Sequence, residues 1–173
     1  MSLAGSRVQA LREDIRALLP EYQGYDDATV QSQTDRLLRE HVRSQIAQLT
    51  LTLEGAGKAL ARGSSSEVGK AIERVRRKLQ VIVDGLNESL KEGVATGTGA
   101  LDGETRTKLY EYDLAIVRRV AKLRQEIDGI DPRAFEGEEE NETLILLDDL
   151  VDGLSQDLFE RDTLLEGQDE MEY

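Results

Sequence analysis

The residues with the densest chemistry in this chain are carboxylates. Glu139 and Glu142 stand three apart, as do Asp149 and Asp152, and Asp148 lies four before Asp152. On a helix these intervals bring side chains to one face, where like charges repel unless a cation or a basic partner intervenes. Hard cations such as Mg²⁺ accept oxygen ligands of this kind, so a Mg²⁺-dependent all-α nucleotide hydrolase is one reading. Such a site needs carboxylate pairs on two facing helices. Here the pairs start only ten residues apart, on what reads as one helix. A solvated acidic face fits the spacing better, and no metal is assigned.

No other residues converge on a catalytic set. His41 is the only histidine. A di-iron bundle needs Glu three positions before such a histidine, and Leu38 stands there. His41 therefore reads as a boundary residue beside Val42. The chain has no cysteine, which removes disulfides, thiolate metal sites and cysteine nucleophiles together. The glycine-rich stretch Thr96–Thr105 contains no GxxxxGK[ST], and Glu104 follows Gly103, where it would repel phosphate. That stretch reads as a connector. No cofactor is expected, and the chain reads as non-enzymatic.

Basic residues form three short rows at helical spacing: Arg36, Arg39 and Arg43; Lys70, Arg74 and Arg77; Arg118 and Lys122. Acids interrupt all three, and aromatic stacking groups are absent from them. Nucleic-acid binders concentrate positive charge more strongly than this. The rows read as the ordinary charge lacing of a helical bundle.

The net charge of −13 conceals a division along the chain. From Glu136 to Tyr173 there are fifteen Asp or Glu against a single basic residue, Arg161; residues 1–135 sum to +1. Adaptation to salt would acidify every exposed face, so this segregation asks for a local reason. The acidic segment also carries an apolar stripe of Leu144, Leu147, Val151, Leu154 and Leu158. A helix with such a stripe must bury it, either in its own bundle or on a partner's groove, with Asp148, Asp149 and Asp152 at the rim.

The leading reading is thus a protein that binds another protein or itself, as in a homodimer, with the acidic helix as its contact or regulatory element. The alternative is a nucleic-acid-associated regulator whose acidic segment masks the basic rows.

The elements that must position these residues are helical. Only two prolines and 4% aromatics accompany 39% hydrophobic residues, a composition for aliphatic helical cores and not for sheets. A first helix carries Val8, Leu11, Ile15 and Leu18 and stops at Pro20. After a loop holding Tyr22, Gly24 and Tyr25, Asp26 or Asp27 caps a second helix from about Ala28 to Arg62, whose stripe is Leu38, Val42, Ile46, Leu49, Leu53, Ala56 and Leu60. Gly63 stops that helix, and Ser64 with Glu67 has capping-box spacing for a third.

The third helix presents Val68, Ile72, Val75, Leu79, Ile82, Leu86 and Leu90, and ends near Gly93. Asp102 caps a fourth, whose stripe is Leu109, Tyr112, Ile116, Val120, Leu123 and Ile127, with a stop at Gly129 to Pro132. A fifth begins about Asn141. The expected fold is all-α: an elongated antiparallel up-and-down bundle of four long helices and a shorter N-terminal one, with coiled-coil-like packing. Residues 1–130 form its core, and 131–173 an acidic linker and helix able to complete it. No stretch approaches a membrane span, and no leader is legible, so a cytoplasmic location is expected. Heptad-patterned helices are common to unrelated bundles, so the pattern names no family.

Overall fold

Local chemistry sets the helix boundaries. The structure, a computed structural model, describes residues 3–61, 66–93, 100–132 and 138–169. It contains α1 (Leu3–Leu18), α2 (Gln31–Ala61), α3 (Ser66–Glu92), α4 (Gly103–Asp128) and α5 (Glu138–Asp169), with no strand among the described residues. The fold is all-α, as the sequence predicts. The expected stop at Gly63, the Ser64 half of the capping box, Gly97, Gly99 and the Glu139 carboxylate lie outside the described residues.

Asp102 caps α4 from extended backbone and accepts from the amides of Glu104 and Thr105, each at 2.9 Å. Gly93 ends α3 at φ +80°, a left-handed conformation that costs glycine little. The start of α2 falls three residues beyond the expected Ala28. Asp27 Oδ1 accepts from the Thr29 amide at 2.8 Å and from its hydroxyl at 2.7 Å. That bonding locks a turn before the helix can begin.

Contacts among the four long helices trace a ring in the order α2, α3, α5, α4, with α1 lying outside on α4. Of the ring neighbours, α2 and α3 run antiparallel, as do α4 and α5. Arg39 meets Ser89 while Arg43 meets Asn87, and Tyr112 meets Glu160 while Arg119 meets Asp157. The other two neighbouring pairs in the ring run parallel. Arg161 joins Asp35 of α2 to Asp113 of α4, and further along the same two helices Arg124 reaches Gln48. Likewise Lys78 of α3 meets Asp148 and Asp152 of α5, and further along both helices Arg39 bridges Ser89 of α3 to Asp162 of α5. The connection from α3 to α4 therefore crosses the diagonal of the bundle.

The inward stripes are those expected on α2 and α3, with Leu38, Val42, Ile46, Leu49, Leu53 and Leu60 facing Val68, Ile72, Val75, Leu79, Ile82 and Leu86, while Ala56 and Leu90 are only partly buried. Two expectations need correction. Leu18 is exposed, and Leu19 takes the core place beside Ile15, because α1 touches only α4 and the chain turns inward at Pro20. On α4, Tyr112 sits half-buried at the edge, while Tyr110 and Asp113 are buried. That helix is covered by α1, α2 and α5 together, so more than one stripe of it is enclosed.

Candidate functional site

The apolar stripe of α5 closes the chain's own bundle. Leu144, Leu147, Val151 and Leu154 are buried in the common core, and Leu158 packs against it partly buried. The first four are spent on folding and do not form a free docking face; Leu158 alone of the stripe keeps a side open to a cleft. The acids beside them are divided: Asp148 and Asp152 hold Lys78 of α3 at 2.9 and 2.8 Å, while Asp149 is exposed. The carboxylates thus serve a lysine across the α3–α5 seam. Among the described residues, no three Asp, Glu or His side chains gather as a metal site would. No helix of the described residues is long and apolar enough to cross a membrane.

One polar layer interrupts the core. Arg161 of α5, 0% exposed, donates from Nε to Asp113 Oδ1 at 2.6 Å and from Nη2 to the Tyr25 hydroxyl at 2.6 Å. Its Nη1 forms an ion pair with Asp35 Oδ1 on α2, so one side chain spans the bundle diagonal. The hydroxyls of Tyr22 and Tyr25 each donate to Asp113 Oδ2 at 2.6 Å. Arg39 crosses the other way: its Nε donates to Asp35 Oδ2 at 3.0 Å and its Nη2 to Asp162 Oδ1 at 2.6 Å, while Nη1 reaches Ser89 Oγ at 3.3 Å. A buried charge without such partners would cost several kcal/mol.

The loop before α2 builds one wall of this layer. Tyr22, Tyr25 and Tyr110 pack edge to face, with centroids 5.5 to 6.2 Å apart. The Tyr25 amide donates to the Tyr110 hydroxyl at 2.8 Å, and the Thr34 hydroxyl donates to the Gly24 carbonyl at 2.8 Å. Gly24 has φ +92°, and a Cβ built there would fall on the Tyr110 hydroxyl. Only glycine satisfies both demands.

Electrostatics follow from burial. Burial, reinforced by the Asp113 charge, raises Tyr22 well above the ordinary phenol value. Burial raises Tyr25 as well, against the pull of Arg161. Tyr110 is pushed up to about 12 by burial. For Arg161 burial works against the charge, but Asp113, Tyr25 and Asp35 outweigh it and hold the guanidinium well above its ordinary value. His41 is half-buried, and burial lowers its pKa.

Beside the layer, a cleft of about 200 Å³ opens between α3 and α5. Its walls are Ile82, Gly85, Leu86, Ser155 and Leu158, and its polar end is Arg39, Ser89 and Asp162. Val81 and Phe159 stand at its mouth, each 69% exposed. Glu88 lies seven residues after Val81, while Asp152 and Glu166 lie seven before and after Phe159; all three are exposed, and because Asp152 is already paired with Lys78, Glu88 and Glu166 supply the border's charge. Two turns of helix return each acid to the face of its aromatic or aliphatic neighbour. The mouth is therefore apolar at its centre and acidic along its edges. A larger cleft between α2 and α3 is lined by charges that already pair, Lys58 with Glu54 at 2.9 Å and Arg76 with Glu73 at 2.7 Å.

Of the sequence-predicted residues only Leu158 lines the α3–α5 cleft; Val81, Phe159 and Asp162 carry no motif and show only through exposure. The basic rows are mostly paired within the body: Arg36 with Glu40, Lys70 with Glu67, Arg77 with Glu73, Lys122 with Glu126 and Arg118 with Asp14. Among the described residues, Arg39 alone of these rows meets an α5 carboxylate. The chain matches no protein-family model, no curated protein and no solved structure.

Proposed function

We propose that this chain is a non-enzymatic, cytoplasmic binding protein whose α3–α5 cleft receives a basic, amphipathic helix of another protein. The observation that carries this reading is the pairing of Val81 and Phe159, two large exposed apolar side chains facing one cleft inside an acidic border. An isolated exposed apolar residue needs no explanation, but a rimmed pair over a concavity is the usual form of an interaction site. The acidic border selects the charge of the occupant. A second copy of this chain would bring like borders together, which argues against self-association through this face. The absence of cysteine accords with a reducing compartment.

The test uses a fluorescein-labelled, 18-residue helical peptide of leucine and lysine, with a leucine–glutamate peptide as control. Anisotropy should report binding of the lysine peptide only. Phe159→Ala should weaken binding at least about thirtyfold, as loss of a buried aromatic anchor does. Equal binding of both peptides, or indifference to Phe159→Ala, would overturn the reading. So would a concentration-dependent dimer abolished by Phe159→Ala, which would give the cleft to a second copy. Retention of an oligonucleotide by a chain truncated before 136, but not by the full chain, would favour the masking alternative. Hydrolysis of nucleotides with Mg²⁺, lost on Asp149→Asn, would overturn the non-enzymatic assignment.

A further inference from the structure

The polar end of the cleft is the solvent end of an alternating chain of charges. Asp113 pairs with Arg161, Arg161 with Asp35, Asp35 with Arg39, and Arg39 with Asp162. The first four groups are two carboxylates and two guanidiniums, which balance. Asp162 adds a fifth and unmatched charge, so the chain as a whole carries −1. The ion pairs of Asp162 among the described residues run inward, to Arg39 at 2.6 Å and Arg161 at 3.9 Å. Its side chain is 39% exposed and lines the cleft.

We propose that Asp162 is the specificity contact of this cleft and takes one lysine or arginine side chain from the docked helix. This rests on the α3–α5 cleft being the partner site. A cation placed there completes the alternation from solvent to the fully buried Asp113, and it does so at a carboxylate already held by Arg39. A carboxylate held in place loses less side-chain freedom on pairing than a surface aspartate does. The spacing of the occupant also follows. Asp162 lies three residues beyond Phe159 on α5, about 4.5 Å along the helix axis. An incoming helix should therefore carry an apolar anchor and a cation three or four positions apart.

The experiment is a double-mutant cycle across the interface. One leucine–lysine peptide has lysine four positions after its anchor leucine, and a second has glutamine there. Both are titrated against the wild-type chain and Asp162→Asn. The substitution of lysine should cost about tenfold in affinity on the wild type and less than about twofold on Asp162→Asn. Equal losses on the two proteins, or none on either, would overturn the assignment. The wild-type arm stands even if Asp162→Asn folds poorly, because there the change lies in the peptide. A further peptide with the lysine moved to its outer face should bind the wild type as weakly as the glutamine peptide. If Phe159→Ala abolishes binding while the cycle shows no coupling, the role of Asp162 falls and the cleft survives. If Phe159→Ala has no effect, both fall.

Discussion

Arg161→Met tests whether the buried layer is a real constraint on stability. The methionine fills much of the arginine's volume but removes three interactions: Nε to Asp113, Nη2 to the Tyr25 hydroxyl, and Nη1 to Asp35. Two fully buried carboxylates remain. Asp113 keeps the hydroxyls of Tyr22 and Tyr25, and Asp35 keeps Arg39 at 3.0 Å. Both therefore stay partly satisfied, but one buried negative charge has lost its countercharge. Breaking a buried pair in this way costs about 3–5 kcal/mol. In a domain of this size each kcal/mol shifts the melting temperature by about 2–4 °C, so the expected drop is roughly 6–20 °C.

Urea unfolding followed by helical circular dichroism would measure the cost directly. The matching control converts the fully buried members of the layer to apolar residues and leaves Arg39 its partner Asp162: Arg161→Met, Asp35→Leu, Asp113→Leu, Tyr22→Phe and Tyr25→Phe. Since the desolvation penalty disappears with the charges, that variant should recover to within about 2 kcal/mol of the wild type or exceed it. A cost under about 1 kcal/mol for Arg161→Met alone would refute the reasoning. So would a fivefold variant whose loss equals the sum of its parts.

Three further outcomes follow. Leu147→Ala should cost roughly 2–5 kcal/mol, because the side chain is wholly enclosed, whereas Ile145→Ala, at a site 62% exposed, should stay within about 0.5 kcal/mol; equal small costs would show α5 to be undocked in solution. Gly24→Ala should lower stability by about 2–4 kcal/mol, combining a left-handed backbone with displacement of the Tyr110 hydroxyl from the Tyr25 amide, and an unchanged urea midpoint would contradict that geometry. Alkaline stability should fall early: Tyr22, Tyr25 and Tyr110 all have raised folded values, so their contribution is intact below pH 10 and drains as pH rises through those values. Three protons make the slope as steep as about 4 kcal/mol per pH unit above pH 10, and a flat unfolding profile from pH 10 to 12 would refute it.

Much of this fold was legible because apolar spacing and capping residues act locally. The stripes of α2 and α3, the Asp102 cap and the inward leucines of α5 all follow from intervals of three and four. The layer was also written in that register, but in polar letters. Extending the α5 stripe from Leu154 and Leu158 by three reaches Arg161, and by four more reaches buried Leu165. On α4 the alternation 109, 113, 116, 120, 123, 127 is more regular through Asp113 than through Tyr112. Asp35 precedes Leu38 by three, and Ser89 follows Leu86 by three. A reading that admits only apolar residues to core positions passes over all four. Arg161, the lone cation among fifteen acids, was the available signal. The cleft was not legible at all, because it depends on α3 and α5 becoming neighbours across a diagonal connection.

Aliphatic stripes with a near-seven-residue repeat leave one question open, which is how far one helix should slide along the next. A slip of α5 by seven residues, about 10.5 Å, sets Leu154 against Asp35 and Asp113 and replaces Val151, Leu154, Leu158 and Leu165 by Leu144, Leu147, Val151 and Leu158, while Glu140 comes to the place of Leu147. From Val151 onward the apolar stripe penalises that slip only weakly; the charged layer penalises it there by a stranded pair of carboxylates. The layer thus specifies axial register, a role for which single buried polar residues in helical assemblies are best known. The fivefold apolar variant separates this role from stability. It should stay helical and keep its stability to urea within about 2 kcal/mol of the wild type or above it, yet its ¹H–¹⁵N correlation spectrum should show more amide peaks than residues, or broadened ones, as α5 samples alternative registers. A single sharp set of peaks from that variant would mean that side-chain shape alone fixes the register, and that the ions are dispensable for it.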